Sequence, residues 1–438
     1  MTASLADLYP AHLAELQRRS EAALARSGHD HLLIAAGVEK YQFLDDRPYP
    51  FVANPHFKAW LPLERHAGCW LRITPGQRPK LAYLQPDDFW HLPPSAPEGY
   101  WVEHFDIEVI AQPEQAVCLR PSSGRVAILG EPDAALDGMQ PNNPQALLDC
   151  LHFHRGIKTA YEIACMRQAS ARAVRGHHAA EAAFRLGESE LGIHRAYLDA
   201  TGHSDLDLPY GNIVALDQHA AVLHYQYQQA ERPAAARAFL IDAGASHAGY
   251  AADITRTYAR EAGAFADLVA AVDGVQRALC DQVRPGVDYR SIHLDAHLRL
   301  AGVLRDAGLV DMSPDAQLES GVSSTFFPHG IGHLIGLQVH DVAGLQADET
   351  GAQRARPDGH PFLRLTRDLQ PGMAVTIEPG IYFIPSLLQR LKGGPHAAAI
   401  NWTAIDALLP CGGVRIEDDV VCTDEAPLNL TREAFAAA

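Results

Sequence analysis

Phe327-Pro-His329-Gly-Ile-Gly-His333-Leu-Ile-Gly-Leu-Gln-Val-His340-Asp341 places three histidines within twelve residues, with three glycines between the first and the last. Such density is unusual outside sites that bind a metal or move protons, because imidazole is a poor choice for an apolar interior unless its ring nitrogens have partners. Glycines in this spacing let the backbone turn sharply and approach another group closely. Val339 suits a strand. On its own the stretch leaves two readings open: a glycine-rich loop with solvated histidines, or part of a reactive or metal-binding site.

The surrounding chain narrows the choice. Its 438 residues allow two or three domains, and 47% hydrophobic residues allow a large core. The formal charge of −17, from 36 basic and 53 acidic side chains, repels phosphate backbones and acidic lipid. Nucleic acid and membrane surfaces are therefore not expected partners, whereas carboxylates are plentiful for hard cations. Seven scattered cysteines, an odd number with no CxxC pair, indicate reduced thiols rather than disulfides or a zinc-thiolate site. The N-terminal stretch Met1-Thr-Ala-Ser-Leu-Ala-Asp-Leu8 carries an early acid and no apolar h-region, and no run of about 18 apolar residues follows. A cytoplasmic, unexported protein is expected.

Residues 10–28 have helical spacing, with Leu13, Leu16, Ala23 and Leu24 on one face. His31–Gly37 reads as a buried strand. Cys69–Thr74 and Lys80–Leu84 flank Pro75-Gly76 as a hairpin, and Phe105–Ile110 and Arg125–Gly130 read as further strands. This alternation predicts a small α/β domain over residues 1–155. Trp60, Trp90 and Trp101 are expected in a core or an interface. Gln140–Pro144 is turn-rich, and a boundary falls near 152–158. Thr159-Ala-Tyr-Glu162 has capping-box spacing and opens a long helix to about Phe184. A second helix is expected over 189–200, ended by Gly202. Asn212–Leu216, Ala221–Tyr225 and Ala238–Asp242 read as strands, 262–309 as helical, and the last hundred residues as strand-like again.

Three apolar runs after residue 205 end in acids. Phe239-Leu-Ile-Asp242 is followed, after a glycine-bearing connection, by Tyr250-Ala-Ala-Asp253, and two strands so joined bring Asp242 and Asp253 together. Met373-Ala-Val-Thr-Ile-Glu378 and Gly413-Val-Arg-Ile-Glu417 are the other two. Strand alternation sets Arg415 and Glu417 on one face and Val414 and Ile416 on the other. An acid closing a buried strand is costly unless it is paired or coordinates a cation. Four carboxylates and one imidazole suit two metals with shared carboxylates. Oxygen-rich ligation favours Mn²⁺, with Co²⁺ or Zn²⁺ as alternatives.

In their surrounding phrases, Asp242, Asp253, His333, Glu378 and Glu417 resemble the metal ligands of the pita-bread metallopeptidases. The nearest resemblance is to bacterial prolidase, the Xaa-Pro dipeptidase family. It runs through Leu208–Asn212, Ala221–Tyr225, His329–Asp341, Pro371-Gly-Met373, Ile377–Ile384 and Gly413–Glu417, and in the N-terminal part through Phe43–Asp46 and Asn54–Trp60. Asp217-Gln218-His219 departs slightly, where the family often has an amide and an acid before the histidine.

The resemblance implies an α/β and α+β architecture: an N-terminal α/β domain serving dimerisation and cleft covering, then a pita-bread domain over 156–438. It implies a homodimer and a hydrolase that splits Xaa-Pro dipeptides through a metal-bridging hydroxide. Asp242 would chelate one metal, Asp253 and Glu417 would bridge both, and His333 and Glu378 would complete the second site. Glu378 would also shuttle the proton, and His340 and His224 would face the substrate and steady the oxyanion. Arg364, helped by His329, would take the substrate carboxylate. Arg415 would add a second cation or form only a local salt bridge, and Tyr210 would close the pocket or be core. Similarity to the organophosphorus acid anhydrolases implies a side activity on phosphorus esters. The competing readings are aminopeptidase P, acting on longer peptides, and a metal-free pita-bread binding protein.

Overall fold

The structure, a computed structural model, describes residues 3–438; Met1 and Thr2, at the head of the N-terminal stretch read above, lie outside the described residues. The chain divides into two compact units. The first runs to Cys165 and takes in Ala248–Tyr250 and Gln346–Gln353; the second holds Met166–His247, Ala251–Leu345 and Arg354–Ala438.

In the first unit, helix α1 (Leu5–Ser27) starts at Leu5 rather than residue 10, because Ser4 and Asp7 form a reciprocal capping box. Strands β1 (His31–Ala35), β2 (Trp70–Ile73), β3 (Lys80–Leu84), β4 (Asp106–Ile110) and β5 (Val126–Leu129) form one mixed sheet in the order β4-β3-β2-β1-β5. β2 and β3 are the antiparallel hairpin expected about Pro75-Gly76, while β1–β5 and β3–β4 pair in parallel. Leu33, Trp70, Ile110, Leu119 and Met139 make the core on one face. Trp60 and Trp101 are buried, but Trp90 is 79% exposed beside an exposed Phe89, so the core reading fails there. Helix α2 (Gln145–Arg155) follows the turn-rich segment.

Helix α3 (Ala160–Arg185) opens on the expected box: Thr159 N donates to Glu162 Oε2 at 2.8 Å and Glu162 N to Thr159 Oγ1 at 3.4 Å. In the second unit, α4 (Glu190–Thr201) ends at Gly202 in the left-handed region. β6 (Ile213–Leu216), β7 (Ala238–Asp242) and β8 (Thr255–Ala259) form an antiparallel sheet in the order β8-β7-β6. The strand expected over Ala221–Tyr225 is absent. Asp217 sits at φ 55° and starts a 3-10 turn over Asp217–Ala221, and its carboxylate accepts the Arg237 and Ala238 amides at 2.6 and 3.0 Å. Tyr225 is then spent on a buried acid, its hydroxyl donating to Glu190 Oε2 at 2.8 Å.

The helical stretch after residue 262 is two helices, α5 (Ala264–Cys280) and α6 (Tyr289–Asp306). Val339 lies in no strand; within the central stretch only Leu334 forms a bridge, with Val375. The C-terminal portion is more helical than expected. Strands β9 (Ala374–Ile377) and β10 (Gly380–Tyr382) precede α7 (Pro385–Lys392) and α8 (Trp402–Leu408), and β11 (Gly413–Arg415) and β12 (Asp418–Val421) precede a last helix, Leu430–Ala437. β9 pairs with β12 and β10 with β11, both antiparallel. Gly413–Val421 is buried throughout, so neither side of that run faces solvent. All seven cysteines are free, and no described helix is long and apolar enough to cross a membrane.

Candidate metal centre

The antiparallel register of β7 and β8 sets Asp242 opposite Thr255, with Asp253 just ahead of β8. Thr255 in turn bridges Glu417, whose amide donates to the Thr255 carbonyl at 3.0 Å. The central stretch lies along β9: Thr376 N donates to His333 O at 3.0 Å and Glu378 N to Ile331 O at 2.9 Å. Gly332 makes this possible. It holds φ 153°, and a Cβ there would collide with Thr376 O and the Tyr289 hydroxyl. Strand pairings among four distant segments thus bring Asp242, Asp253, His333, Glu378 and Glu417 together. Donor atoms of Asp253, His333 and Glu417 lie within 4.8 Å of one another, and His333 Nε2 is 3.5 Å from Asp253 Oδ2 and 3.8 Å from Glu378 Oε1.

These acids are short of positive charge. Burial, then repulsion from Asp253, Glu378 and Asp242, drives Glu417 well above the usual carboxylate range. Burial raises Glu378 to about 7 against the pull of His333 and Arg415, and raises Asp242 against Arg415. Burial also opposes the Asp253 anion, but the His333 contact outweighs it and holds that carboxyl low. The Tyr210 hydroxyl lies 2.8 Å from Asp242 Oδ1 and 2.6 Å from Asp253 Oδ1, yet has one hydrogen to share between two anions. His333 Nδ1 donates to Leu334 O at 3.0 Å, which points Nε2 at the carboxylates. Burial works against charge on that ring, but Asp253 and Glu378 outweigh it and raise its pKa, so Nε2 carries a proton that a metal would displace. Buried oxygen donors lacking countercharge, with one imidazole aimed at them by Nε2, fit hard or borderline divalent cations.

Arg415 does not pair with its neighbour Glu417. It is 4% exposed. Its Nη2 donates to Asp242 Oδ2 at 2.6 Å, its Nη1 to the Tyr382 hydroxyl at 2.9 Å and its Nε to Thr255 Oγ1 at 3.2 Å. Tyr382 passes the network on, donating to His329 Nε2 at 2.8 Å, while His329 Nδ1 donates to Gly330 O at 2.8 Å. Burial, then Arg415, lowers His329 to about 3. His340 stands edge-on to His333 with centroids 4.4 Å apart, and burial, then His333, lowers it to about 4. Arg364 and His224 are exposed, and both are close enough to His340 to depress it further. Tyr210, expected to close the pocket or to be core, hydrogen-bonds two of the acids.

Tyr382 and Thr255 carry connections that sequence reasoning did not assign. Thr255 Oγ1 donates to Glu417 Oε2 at 2.7 Å. Strand alternation puts Thr255 on the same side as Asp253, and that signal was available.

Residues 7–153 match the family model of the Xaa-Pro dipeptidase N-terminal domain, and residues 164–424 match that of metallopeptidase family M24. The chain is 58% identical over 433 residues to a Xaa-Pro dipeptidase of Stenotrophomonas maltophilia, covering 98% of each chain. It is 57% identical over 436 residues to a Xaa-Pro dipeptidase of Xanthomonas campestris pv. campestris, covering 99% of each. In fold it is similar to the aminopeptidase PepP of Pseudomonas aeruginosa, with TM-score 0.71 and 23% identity over 97% of this chain and 98% of that one. It is likewise similar to aminopeptidase P from E. coli with the inhibitor Pro-Leu, with TM-score 0.70 and 22% identity over 97% of each. The second unit is thus a pita-bread domain, and the architecture is that of a two-domain, divalent-metal hydrolase. The chain belongs to metallopeptidase family M24 and, within it, to the Xaa-Pro dipeptidases.

Proposed function

We propose that this chain hydrolyses Xaa-Pro dipeptides, with two divalent ions held by Asp242, Asp253, His333, Glu378 and Glu417. The observation that carries the reading is the convergence of these five side chains, four of them acids short of countercharge. The donor set favours Mn²⁺, with Co²⁺ and Zn²⁺ compatible. When bound, such ions activate water and polarise the scissile carbonyl.

The chain's own residues supply the rest. Glu378 accepts the proton of the attacking water and returns it to the proline nitrogen as the C–N bond breaks. That nitrogen bears no hydrogen in the peptide, so recognition here rests on no backbone donor at that position. His340, neutral above its lowered pKa, and His224 donate to the developing oxyanion. Arg364, exposed and near His340, forks onto the substrate carboxylate, while His329, whose ring nitrogens are spent on Gly330 O and the Tyr382 hydroxyl, assists only through Tyr382. Arg415 and Tyr210 act through Asp242 and Asp253, holding them in place, and are positioning residues.

Residues 1–155 are assigned the pairing of two copies and the limit on substrate length, and the protein is assigned to the cytoplasm. The test is incubation of the metal-loaded protein with Gly-Pro, Ala-Pro and a tripeptide. Cleavage of the dipeptides is expected; cleavage of the tripeptide alone would replace this reading with aminopeptidase P. Phosphorus esters are proposed as side substrates of the same centre. Loss of both activities together in Glu378→Gln is the expected result, and a phosphotriesterase activity surviving that change would place it elsewhere.

A further inference from the structure

A second cluster of titratable groups lies in the second unit, outside the acid-rich centre. His293 and His297 are one turn apart on α6 and share its buried face. His360 comes from a loop far along the chain. The three rings pack with centroids 4.6–4.8 Å apart. One nitrogen from each lies within 4.8 Å of the other two, and no carboxylate is in the group.

The polar atoms of this cluster are incompletely used. His293 Nε2 meets His360 Nδ1 at 3.0 Å, and His297 Nδ1 meets Ser323 Oγ at 3.0 Å. His293 Nδ1 and His297 Nε2 are buried with no hydrogen-bond partner, although both residues are only 1% exposed. A buried polar atom left unmatched costs about 1–3 kcal/mol, so His297 Nε2, beside the facing His293 Nε2 and His360 Nδ1, calls for an occupant. Burial, then the neighbouring rings, lowers His293 to about 2 and His297 to about 3, and burial lowers His360, so all three are neutral at physiological pH. Neutral imidazole is the ligand form. Metal–nitrogen bonds of about 2.0–2.1 Å set tetrahedral nitrogens about 3.3 Å apart, so the cluster closes on an ion with ring movements of about 1 Å.

We propose that His293, His297 and His360 form a separate, mononuclear site for Zn²⁺, with the fourth position open to water. Three imidazoles suit zinc, whereas the acid-rich centre suits harder ions. The Ser323 hydroxyl on Nδ1 of His297 orients that ring and leaves Nε2 for the ion. The other candidate trio, Cys150, His154 and Glu349, carries no such case, because Glu349 already pairs with Arg26 at 3.0 Å and His154 at 2.9 Å. An ion at the histidine site would tie α6 to the His360 loop. That loop continues to Leu363, whose backbone is so close to Gly330 that a Cβ there would lie 2.9 Å from the Leu363 Cα. The site would therefore clamp the backbone beside His329.

The test is zinc stoichiometry by elemental analysis and zinc affinity by competition with a chromogenic chelator. It is run on full-length wild type, His297→Ala and His360→Ala, and on each of these combined with Asp253→Asn and Glu417→Gln. The combined background silences the acid-rich centre, so failure of that centre and failure of this proposal are distinguishable. In that background one zinc per chain is expected with His293, His297 and His360 intact. Either alanine change is expected to lower its affinity at least about 100-fold. His360 is only half-buried on a loop, so His360→Ala decides the matter if His297→Ala does not fold. Unchanged zinc content and affinity in folded His360→Ala protein would overturn the site.

Discussion

Replacing Arg415 by Met tests whether the centre is held together by charge. Arg415 is the guanidinium bound to Asp242, at 2.6 Å, and both side chains are nearly out of solvent, at 5% and 13% exposure. Methionine keeps most of the volume but strands a buried anion that already sits beside Asp253. Breaking one side of such a pair costs about 3–5 kcal/mol. The sign with pH follows from Asp242. Its carboxyl is raised by burial, and Arg415 is the first influence opposing that rise. Without Arg415 the folded-state pKa climbs further above the unfolded value, so the variant loses stability progressively as pH rises above about 4. Bound divalent ions supply the missing charge, so the penalty should shrink when metal is restored. Urea unfolding of chelator-treated and metal-loaded protein at pH 6 and pH 8 reads all three effects from the midpoints. A metal-free penalty under about 1 kcal/mol, or one indifferent to metal and pH, would show that the ion pair with Asp242 is not what keeps the acids in register.

Glu378→Gln should lower kcat by at least about 100-fold while the protein stays folded; wild-type turnover would remove its proton-carrying role. Gly332→Ala should destabilise the fold by at least about 2 kcal/mol and weaken metal uptake, because the added methyl meets Thr376 O and the Tyr289 hydroxyl, and calorimetry with metal analysis checks both. Asp418 is buried, and although burial opposes its charge, Arg256 and Arg432 hold it down at about 2. A depressed acid stabilises the fold above its unfolded pKa and loses that contribution as pH falls from about 4 to 2. Asp418→Asn should therefore be less stable at neutral pH and lack about 2 kcal/mol of the wild-type decline in that window. Parallel acid-unfolding curves would refute the assignment.

Much of the architecture could be read from local pattern. Ala238–Asp242 is a strand over the residues its apolar run marked, the Pro75-Gly76 hairpin forms, and the Thr159–Glu162 box starts the helix it predicted. The failures share a cause. Ala221–Tyr225 alternates like a strand, but Tyr225 and His219 serve the buried Glu190 carboxylate, at 2.8 and 2.7 Å. That tertiary demand overrides the period. The strand-like impression of the last hundred residues missed Pro385–Lys392 and Trp402–Leu408, helices short enough to hide between strands. Trp90, expected in a core or an interface, is not core: the loop carrying it leaves the ring in solvent.

The site divides along the same line. Acids that end apolar runs can be found one run at a time, and a glycine wedged between histidines announces a close backbone approach. Neither says which atom meets which. Arg415 looked like a partner for Glu417 because they are neighbours in sequence, yet register carries its guanidinium to Asp242, Thr255 and Tyr382. The histidine cluster on α6 was hidden for a related reason. Two histidines one turn apart on an apolar helix face look like satisfied core residues until a third arrives from another segment and two ring nitrogens are left over. What escapes sequence reading in both places is the residual valence of a buried group, since it exists only after every other segment has taken its share of hydrogen bonds. The same residue of unmatched charge or lone pairs is what makes each place fit to receive a cation, so the features hardest to foresee are those on which binding depends.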